Sequence, residues 1–330
     1  MPDHNCDSPL RLEGPTVSVV IPTFNRVEQT RRAVQSVLAQ TYPNFEVIVI
    51  DDGSDDPSAL KASLAGLHDK RIRFHELEIN RGANYARNIG ISLSSGNYVA
   101  FLDSDDEWLP NKLASQLRTL YASGPRTVSY CSYFARTTAM GFEITDCRPW
   151  RGIRPNESIA EYLFCNRGSI VTPSLVLSRD IAVQVPFNES LKRHQDFAFL
   201  LDLEINDCQF AMVDEPLLVV NWQDLEKSGR QVRPDVATEF LRQYGRHMSA
   251  ASRGGFWIKQ VVHPSFFTGT RRVSPLRFPA DVLIYLACSP RELFKTSLFL
   301  LRISPPWILR FASWCKAGLG RAIAKSPHGA

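Results

Sequence analysis

The chain has 330 residues, which corresponds to roughly two domains. Hydrophobic residues make up 44% and charged residues 22%, proportions that exclude a disordered, collagen-like or low-complexity chain. The formal net charge is only +4, but residues 227–330 contain 17 Lys and Arg against 4 Asp and Glu, so the preceding part is acidic and two regions with different roles are predicted.

Apolar runs and helical spacings alternate over the first hundred residues. We predict strands at 17–21, 45–50, 72–77 and 98–102, with the first strand ending at Pro22. Helices are predicted at 27–40, 60–67 and 83–93. Alternation of this kind indicates an α/β fold with an open, mostly parallel sheet and helices on both faces. Ligands of such sheets bind at the carboxyl ends of the strands.

The pattern is less regular after residue 106. A helix is predicted near Glu107 with Pro110 in its first turn, and further strands at 128–134, 171–177 and 210–220. A helix is predicted at 196–205. A loop at 227–234 leads into helix-like segments rich in arginine and large apolar residues. The chain thus divides into an α/β part and a basic helical C-terminal region.

Cysteines and apolar runs indicate the cellular compartment. The seven cysteines contain no C-x-x-C pair; they are Cys6, Cys131, Cys147, Cys165, Cys208, Cys288 and Cys315. This pattern argues against a disulfide framework or a structural zinc site and is typical of a reducing cytoplasm. Residues 1–14 lack a basic-then-apolar run, and no uncharged apolar stretch reaches 18 residues. We therefore predict a cytoplasmic protein without a signal peptide or a membrane-spanning helix.

An acidic group directly follows the strand at 98–102. Asp103, Asp105 and Asp106 would repel one another unless a cation or an array of donors neutralised them. A hard divalent metal bound through oxygen is one interpretation, and such a metal could stabilise a departing diphosphate. The alternative is that these residues cap the helix predicted near Glu107.

Other polar residues lie at the ends of predicted elements. Asp51 and Asp52 precede Gly53 and could accept from a pyrimidine or ribose, or form an ordinary turn. The segment 22–26 offers a ring, backbone donors and a cation to a nucleotide, or is a plain loop. Arginines at 81 and 87 suit phosphate, although most helix arginines are solvated. Asp196 is either a helix cap or a general base. A lone histidine such as His194 is more often structural than catalytic.

Five motifs occur in order between residues 17 and 222. They are SVVIPTFNR, DDGSDD, NRG with ARNIGI, FLDSDD and HQD. Each is modest alone, but the ordered set resembles the family 2 glycosyltransferases, inverting enzymes of the GT-A fold. The resemblance covers about two thirds of the chain, and residues 18–106 carry most of it.

The resemblance implies a role for each matching residue. Asp105 would bind Mn²⁺ or Mg²⁺ on the donor diphosphate, and Asp196 would be the general base, although Gln195 stands where Glu is usual. No Q-x-x-R-W motif follows, which disfavours a processive, polymer-extruding synthase. The residues implied to bind the nucleotide sugar are Pro22, Thr23, Phe24, Arg26, Asp52, Arg87, Asp103 and Ser104.

The function predicted is metal-dependent, inverting transfer of a sugar from a nucleotide diphosphate donor, with UDP the expected nucleotide. The acceptor would be a hydroxyl of a saccharide or lipid-linked saccharide in cell-surface polysaccharide or lipopolysaccharide synthesis. One alternative is a sugar nucleotidyltransferase, which would be expected to show a glycine-rich phosphate loop after the first strand. The other is a membrane-surface scaffold with an inactive transferase fold. No nucleic-acid-binding module is recognised.

The predicted domains are a tail at 1–15, a catalytic domain at 16–225 and a basic region at 226–330. The catalytic domain would comprise a nucleotide-binding half, 16–110, and an acceptor-binding half, 111–225. In the basic region, arginines from Arg271 to Arg321 alternate with apolar clusters. Such helices can lie on an anionic membrane surface, which would place the enzyme at the inner face of the cell membrane, or pack on the catalytic domain.

Overall fold

The computed structural model describes residues 14–139, 142–222 and 233–262. The chain divides into two compact units, Met1–Arg230 and Gln231–Ala330. The predicted basic segments from Arg271 onward lie outside the described residues, as does most of the loop predicted at 227–234.

The first unit alternates strands and helices and then becomes less regular. Its elements are β1 Val17–Thr23, α1 Val27–Leu38, β2 Phe45–Asp51, α2 Pro57–Ala65, β3 Ile72–Glu76, α3 Ala83–Leu93, β4 Tyr98–Phe101, β5 Glu107–Trp108, α4 Lys112–Tyr121, β6 Thr127–Ala139, β7 Phe142–Arg148, β8 Val176–Ser178, α5 Arg179–Gln184, α6 Gln195–Ile205 and β9 Gln209–Trp222. A π-helical turn lies at Glu161–Cys165 and a 3₁₀ turn at Thr172–Ser174.

One nine-stranded sheet organises these elements, in the order β3-β2-β1-β4-β8-β6-β9-β5, with β7 paired to β6. The first four strands of this order are parallel to one another, and β6 is parallel to β9. β8 runs antiparallel to both β4 and β6, and β5 is antiparallel to β9. The predicted α/β architecture is therefore present, and its parallel part presents the carboxyl ends of β2, β1 and β4 side by side.

Helices cover both faces of the parallel strands. Val47 and Val49 of β2 belong to the large core that includes residues of α1, α2 and α4. Ile48 and Ile50 point to the opposite face and pack with Ala86 of α3, as the two-residue period of a strand requires. This double burial explains why β1 and β2 read as nearly continuous apolar runs.

Helix α3 approaches the sheet closely at Gly90. A Cβ atom there would lie 2.3 Å from Cγ1 of Val20 on β1. The glycine thus allows the helix backbone to pack directly on the strand. This contact positions the residues at the start of α3 over the carboxyl end of the sheet.

The prediction of a helix beginning near Glu107 is wrong. Residues Glu107 and Trp108 pair instead with Val219 and Leu218 of β9, and α4 begins only at Lys112. Trp108 is buried in this pairing, and burial of so large a ring favours the strand over local helical preference.

Two further boundaries differ from the prediction. The strand predicted at 171–177 is divided into the turn Thr172–Ser174 and the shorter β8, because Pro173 has no N–H to donate to a ladder. Strand β1 continues through Pro22, which pairs in register with Ile50. The hairpin strand β7 and the short helix α5 were not predicted.

Glu46 is the second residue of β2, and its carboxylate accepts four hydrogen bonds. Its carboxylate accepts from Ser18 Oγ at 2.6 Å, from Ser95 N at 2.7 Å and Oγ at 2.8 Å, and from Arg73 Nη1 at 2.7 Å. Burial alone would raise the pKa of Glu46, but these donors hold it at about 2.

We expect Glu46→Gln to lower the free energy of unfolding by about 1–2 kcal/mol near neutral pH, because charged acceptors form stronger hydrogen bonds. A depressed folded-state pKa means that this stabilisation is present above the ordinary pKa and is lost as the pH falls from about 5 toward 2. Urea unfolding across this range should show the two proteins converging, with Glu76→Gln, an exposed change on β3, as the control. A difference that does not vary with pH would contradict the assignment.

The described part of the second unit contains two short helices, α7 Pro234–Tyr244 and α8 Ala250–Trp257, with a 3₁₀ turn at Gly245–His247 between them and a π-helical turn at Ile258–Val262 after them. Their apolar faces meet where the ring of Phe240 stacks on that of Phe256, with centroids 4.6 Å apart. Across the described ranges of the whole chain, every helix is too short or too polar to cross a bilayer.

Candidate active site

A cleft of about 430 Å³ opens at the carboxyl ends of β1, β2 and β4. Nine residues predicted from the sequence line it together, because adjacent parallel strands end at the same edge of the sheet. The lining residues are Pro22, Thr23, Phe24, Arg26, Asp52, Asn80, Gly82, Ala83, Arg87, Asp103, Ser104 and Asp105. Asn80, Gly82 and Ala83 were not predicted as site residues, although Asn80 and Gly82 belong to the NRG motif and Ala83 follows it directly.

Asp52 has a structural task in the cleft that the sequence did not reveal. Its two carboxylate oxygens accept from the backbone N–H groups of Arg81 and Gly82, each at 2.8 Å, and its side chain is buried. Gly82 has φ +94° and immediately precedes α3. Asp52 therefore connects the end of β2 to the start of α3. A nucleoside that bonds to Asp52 would have to use carboxylate oxygens that already accept from the backbone.

Asp51, the other half of the pair, holds its own turn. Its Oδ1 accepts from the backbone N–H and the hydroxyl of Ser54. Gly53 between them has φ +73°, and a Cβ there would lie 2.6 Å from the backbone of Ile79 and Asn80. The D-D-G-S sequence thus forms a tight turn against the loop that leads into α3.

Each carboxylate of the acidic loop has a different partner. Arg87 is buried and donates from Nη2 to Asp103 Oδ1 at 2.6 Å. Arg26 reaches Asp105 Oδ2 at 2.9 Å and Ser104 Oγ at 3.3 Å. The two arginines come from the start of α1 and from α3, so the loop is neutralised from both of its sides.

The third carboxylate, Asp106, is held from β9. The buried Asp106 accepts from the backbone N–H of Asn221 at 2.9 Å, and Asn221 Nδ2 donates to the carbonyl of Asp105 at 2.6 Å. Asp106 therefore does not cap a helix at Glu107. Sequence reasoning missed Asn221 because it lies 115 residues from Asp106 and reaches it only through the β5–β9 pairing.

Burial and mutual repulsion make simultaneous ionisation of the three carboxyl groups in the acidic loop unfavourable. Burial raises the pKa of the Asp105 carboxyl; the Arg26 guanidinium opposes this, and the charge of Asp103 adds to it. Burial, together with Asp103 and Asp105, raises the pKa of Asp106 well above its usual range. A bound cation would relieve this repulsion.

Asp196 lies in the first turn of α6 and is half-buried. Its Oδ1 accepts from the hydroxyl of Thr172 at 2.8 Å. Burial alone would lower the pKa of Arg87, but the charges of Asp103 and Asp196 raise it. Asp196 is thus electrostatically coupled to the cleft through Arg87, although it is not among the residues that line it.

His194 precedes α6 in a left-handed conformation, with φ 61°. Its ring stacks on that of Phe197 with centroids 5.9 Å apart. Burial, with the neighbouring charge of Arg193, lowers the pKa of His194 to about 4. These features support the structural interpretation of this histidine.

Comparison with known proteins identifies the class. The sequence model described as Glycosyl transferase family 2 matches residues 18–182. The chain is 34% identical over 221 residues to the amylovoran biosynthesis glycosyltransferase AmsB of Erwinia amylovora, covering 65% of this chain and 71% of that protein. It is 41% identical over 101 residues to WfgD of Escherichia coli, a UDP-Glc:alpha-D-GlcNAc-diphosphoundecaprenol beta-1,3-glucosyltransferase, covering 31% of this chain and 39% of that protein.

Among solved structures, the S. aureus TarS 1-349 complex with UDP-GlcNAc superimposes with a TM-score of 0.58 at 18% identity, covering 82% of this chain and 79% of that one. The fold and cleft define an α/β transferase of the GT-A type, as predicted. The chain belongs to glycosyltransferase family 2. It is therefore a glycosyltransferase enzyme.

Proposed function

We propose that this enzyme transfers a sugar from a UDP-linked donor to a hydroxyl of a saccharide or lipid-linked saccharide during synthesis of a cell-surface polysaccharide. The observation that carries the proposal is the single cleft in which an exposed ring, two arginines and the acidic loop meet. The names of the relatives support it: AmsB acts in amylovoran biosynthesis, and the name of WfgD specifies UDP-Glc and a diphosphoundecaprenol-linked acceptor.

The nucleoside is proposed to bind against Phe24, with Pro22, Thr23 and Asp52 around it. Phe24 is 42% exposed and lines the cleft, so its ring is accessible for stacking on a base. Arg26 and Arg87 are the cations of the cleft. We propose that they contact the diphosphate, because guanidinium groups match phosphate oxygens geometrically.

Asp105 is proposed to bind Mn²⁺ or Mg²⁺, with Asp103 and Ser104 beside it. The residues fit such an ion. Burial and the charge of Asp103 make the ionised form of Asp105 unfavourable unless a positive charge lies beside it. Arg26, 2.9 Å away, shows that a cation can be accommodated at this carboxylate. Among the described residues no group of three His, Cys, Asp or Glu side chains could hold a metal, so the remaining ligands would be diphosphate oxygens and water, as Mg²⁺ prefers. When bound, the metal would stabilise charge on the departing diphosphate.

Asp196 is proposed to act as the general base. It would take the proton of the acceptor hydroxyl as that oxygen forms its bond to the anomeric carbon. The bond from this carbon to the diphosphate breaks on the opposite side and its electron pair leaves with the diphosphate, so the configuration inverts. Arg87, paired with Asp103 at 2.6 Å, would hold positive charge between the base and the leaving group.

Thermal unfolding with a panel of nucleoside diphosphates, with and without Mn²⁺, tests the donor class. We expect UDP with Mn²⁺ to raise the melting temperature by several degrees, since a hundredfold excess over Kd contributes roughly 2.7 kcal/mol. Phe24→Ala should reduce this shift. Trp150→Ala removes another exposed ring that does not line the cleft, and should leave the shift unchanged.

The outcomes separate the elements of the proposal. A shift with GDP or dTDP but not UDP would exclude the uridine donor and retain the cleft. The absence of a shift with every nucleotide, or an undiminished shift in Phe24→Ala, would contradict nucleotide binding at this cleft.

A further inference from the structure

Thr172 is a buried hydroxyl that contacts the proposed base. It is only 1% exposed, and its Oγ1 donates to Asp196 Oδ1 at 2.8 Å. A hydrogen bond donated to a carboxylate restricts its rotation and favours its ionised form. The hydroxyl thus does two things that a general base requires: it orients the carboxylate and keeps it able to accept a proton.

The turn that carries Thr172 is itself clamped. Thr172 and Ser174 share one 3₁₀ turn, and the carbonyl of Ser174 accepts from Gln116 Nε2 at 2.8 Å. Gln116 is completely buried on α4. Because burying an amide without partners is costly, this bond opposes any shift of the turn, and so of the Thr172 hydroxyl.

Lys112 determines which way the Gln116 amide faces. Its Nζ lies 2.6 Å from Gln116 Oε1 and 4.1 Å from the centroid of the Trp108 ring, and the side chain is fully buried. Burial lowers the pKa of Lys112 to about 8, so the amine is mostly protonated at neutral pH. A charged amine only donates; the amide oxygen must therefore face Lys112, and the amide nitrogen is directed to Ser174.

We propose that Thr172 is a positioning residue of the transfer reaction, whose hydroxyl orients the carboxylate of Asp196 and is held in register by the Gln116 clamp. The inference rests on the proposed role of Asp196 as the base. It accounts for polar side chains buried on α4, which the donor cleft does not use. The charge of Asp196 contributes to the raised pKa values of Arg87 on α3 and of Tyr133 on β6, and neither of these residues is altered in the variants that test the proposal.

Thr172→Val tests the proposal, because valine keeps the shape and loses the donor. We expect kcat to fall by about tenfold or more, the cost of one hydrogen bond to a charged group. The KM for the donor should change little, since Thr172 does not line the cleft. The acidic limb of the pH profile should move to higher pH, because the ionised base has lost a donor. Thr172→Ser should restore both quantities.

Thr119→Val is the matched control. It also removes one threonine hydroxyl, which bonds to the carbonyl of Ser115 on α4, and it should leave kcat and the pH profile unchanged. Gln116→Met removes the hydrogen bond to Ser174 and should displace the turn that carries Thr172. We therefore expect a lower kcat and an acidic limb of the pH profile that moves to higher pH, as in Thr172→Val.

Three results would overturn the inference. The first is a wild-type kcat and pH limb in Thr172→Val, and the second is a failure of Thr172→Ser to restore them. If Thr172→Val does not fold, a wild-type pH limb in Gln116→Met would be the third. Asp196→Asn, assayed alongside, separates the two levels: if it abolishes transfer while these variants are normal, the base stands and the positioning role falls.

Discussion

Asp196→Asn is expected to lower kcat by about a thousandfold, within the range that a general base contributes. Asparagine keeps the size of the side chain and can still accept from Thr172, but its amide cannot take the proton of the acceptor hydroxyl. Binding of the donor should be retained, because Asp196 is not among the residues that line the nucleotide cleft. Steady-state transfer rates and UDP-induced thermal shifts, measured on one preparation, check both expectations.

Asp180→Asn provides a matched control for this change. Asp180 also lies in the first turn of a helix, α5, but is exposed and not in the cleft. A loss of the favourable contact with the helix N-terminus is thus common to both variants. Retention of more than about a tenth of the transfer rate in Asp196→Asn would fall outside the range for a base and reject that role.

Asp105→Asn is expected to lower kcat by about a hundredfold to a thousandfold, the range seen when one electrostatic contact to a developing charge is removed. The added thermal stabilisation that UDP shows with Mn²⁺ over UDP alone should disappear. Without metal the variant should be at least as stable as the wild type, because burial and Asp103 make the Asp105 charge unfavourable in the folded protein. Melting temperatures with and without Mn²⁺ measure both effects.

Asp146→Asn is the control for the loss of an ion pair. Asp146 pairs with Arg148 at 2.8 Å, much as Asp105 pairs with Arg26 at 2.9 Å, but it is exposed and away from the cleft. If Asp105→Asn keeps the Mn²⁺-dependent rise in melting temperature, Asp105 is not the metal ligand. The same measurement would then be made on Asp103→Asn.

The sequence predicted the part of the site that lies at strand ends. The apolar runs of β1, β2 and β4 are local features of the sequence, and each is followed directly by polar residues. Topology rules for parallel sheets then place Arg26, Asp52 and Asp103 at one edge, and the cleft contains them all. Helix α3 spans the predicted residues, Ala83–Leu93, because its apolar spacing is equally local.

Sequence reasoning failed where partners are distant in the chain. The pairing of β5 with β9 replaced a predicted helix and brought Asn221 to the acidic loop. Such pairings join segments more than a hundred residues apart, and the pattern of either segment alone does not reveal its partner. The hydrogen bonds from the turn before α3 to the two Asp52 oxygens were hidden because they join residues about thirty positions apart.

By itself, the sequence determined the α/β class, the strand-end carboxylates and arginines, and the family to which they belong. Only the tertiary structure decided which of these groups are paired and which polar residues serve the base. Lys112 and Gln116 resemble surface residues of an amphipathic helix when read in sequence, yet both are completely buried. Burial and long-range hydrogen bonds depend on how elements pack, and packing is a property of the whole sheet rather than of any one segment.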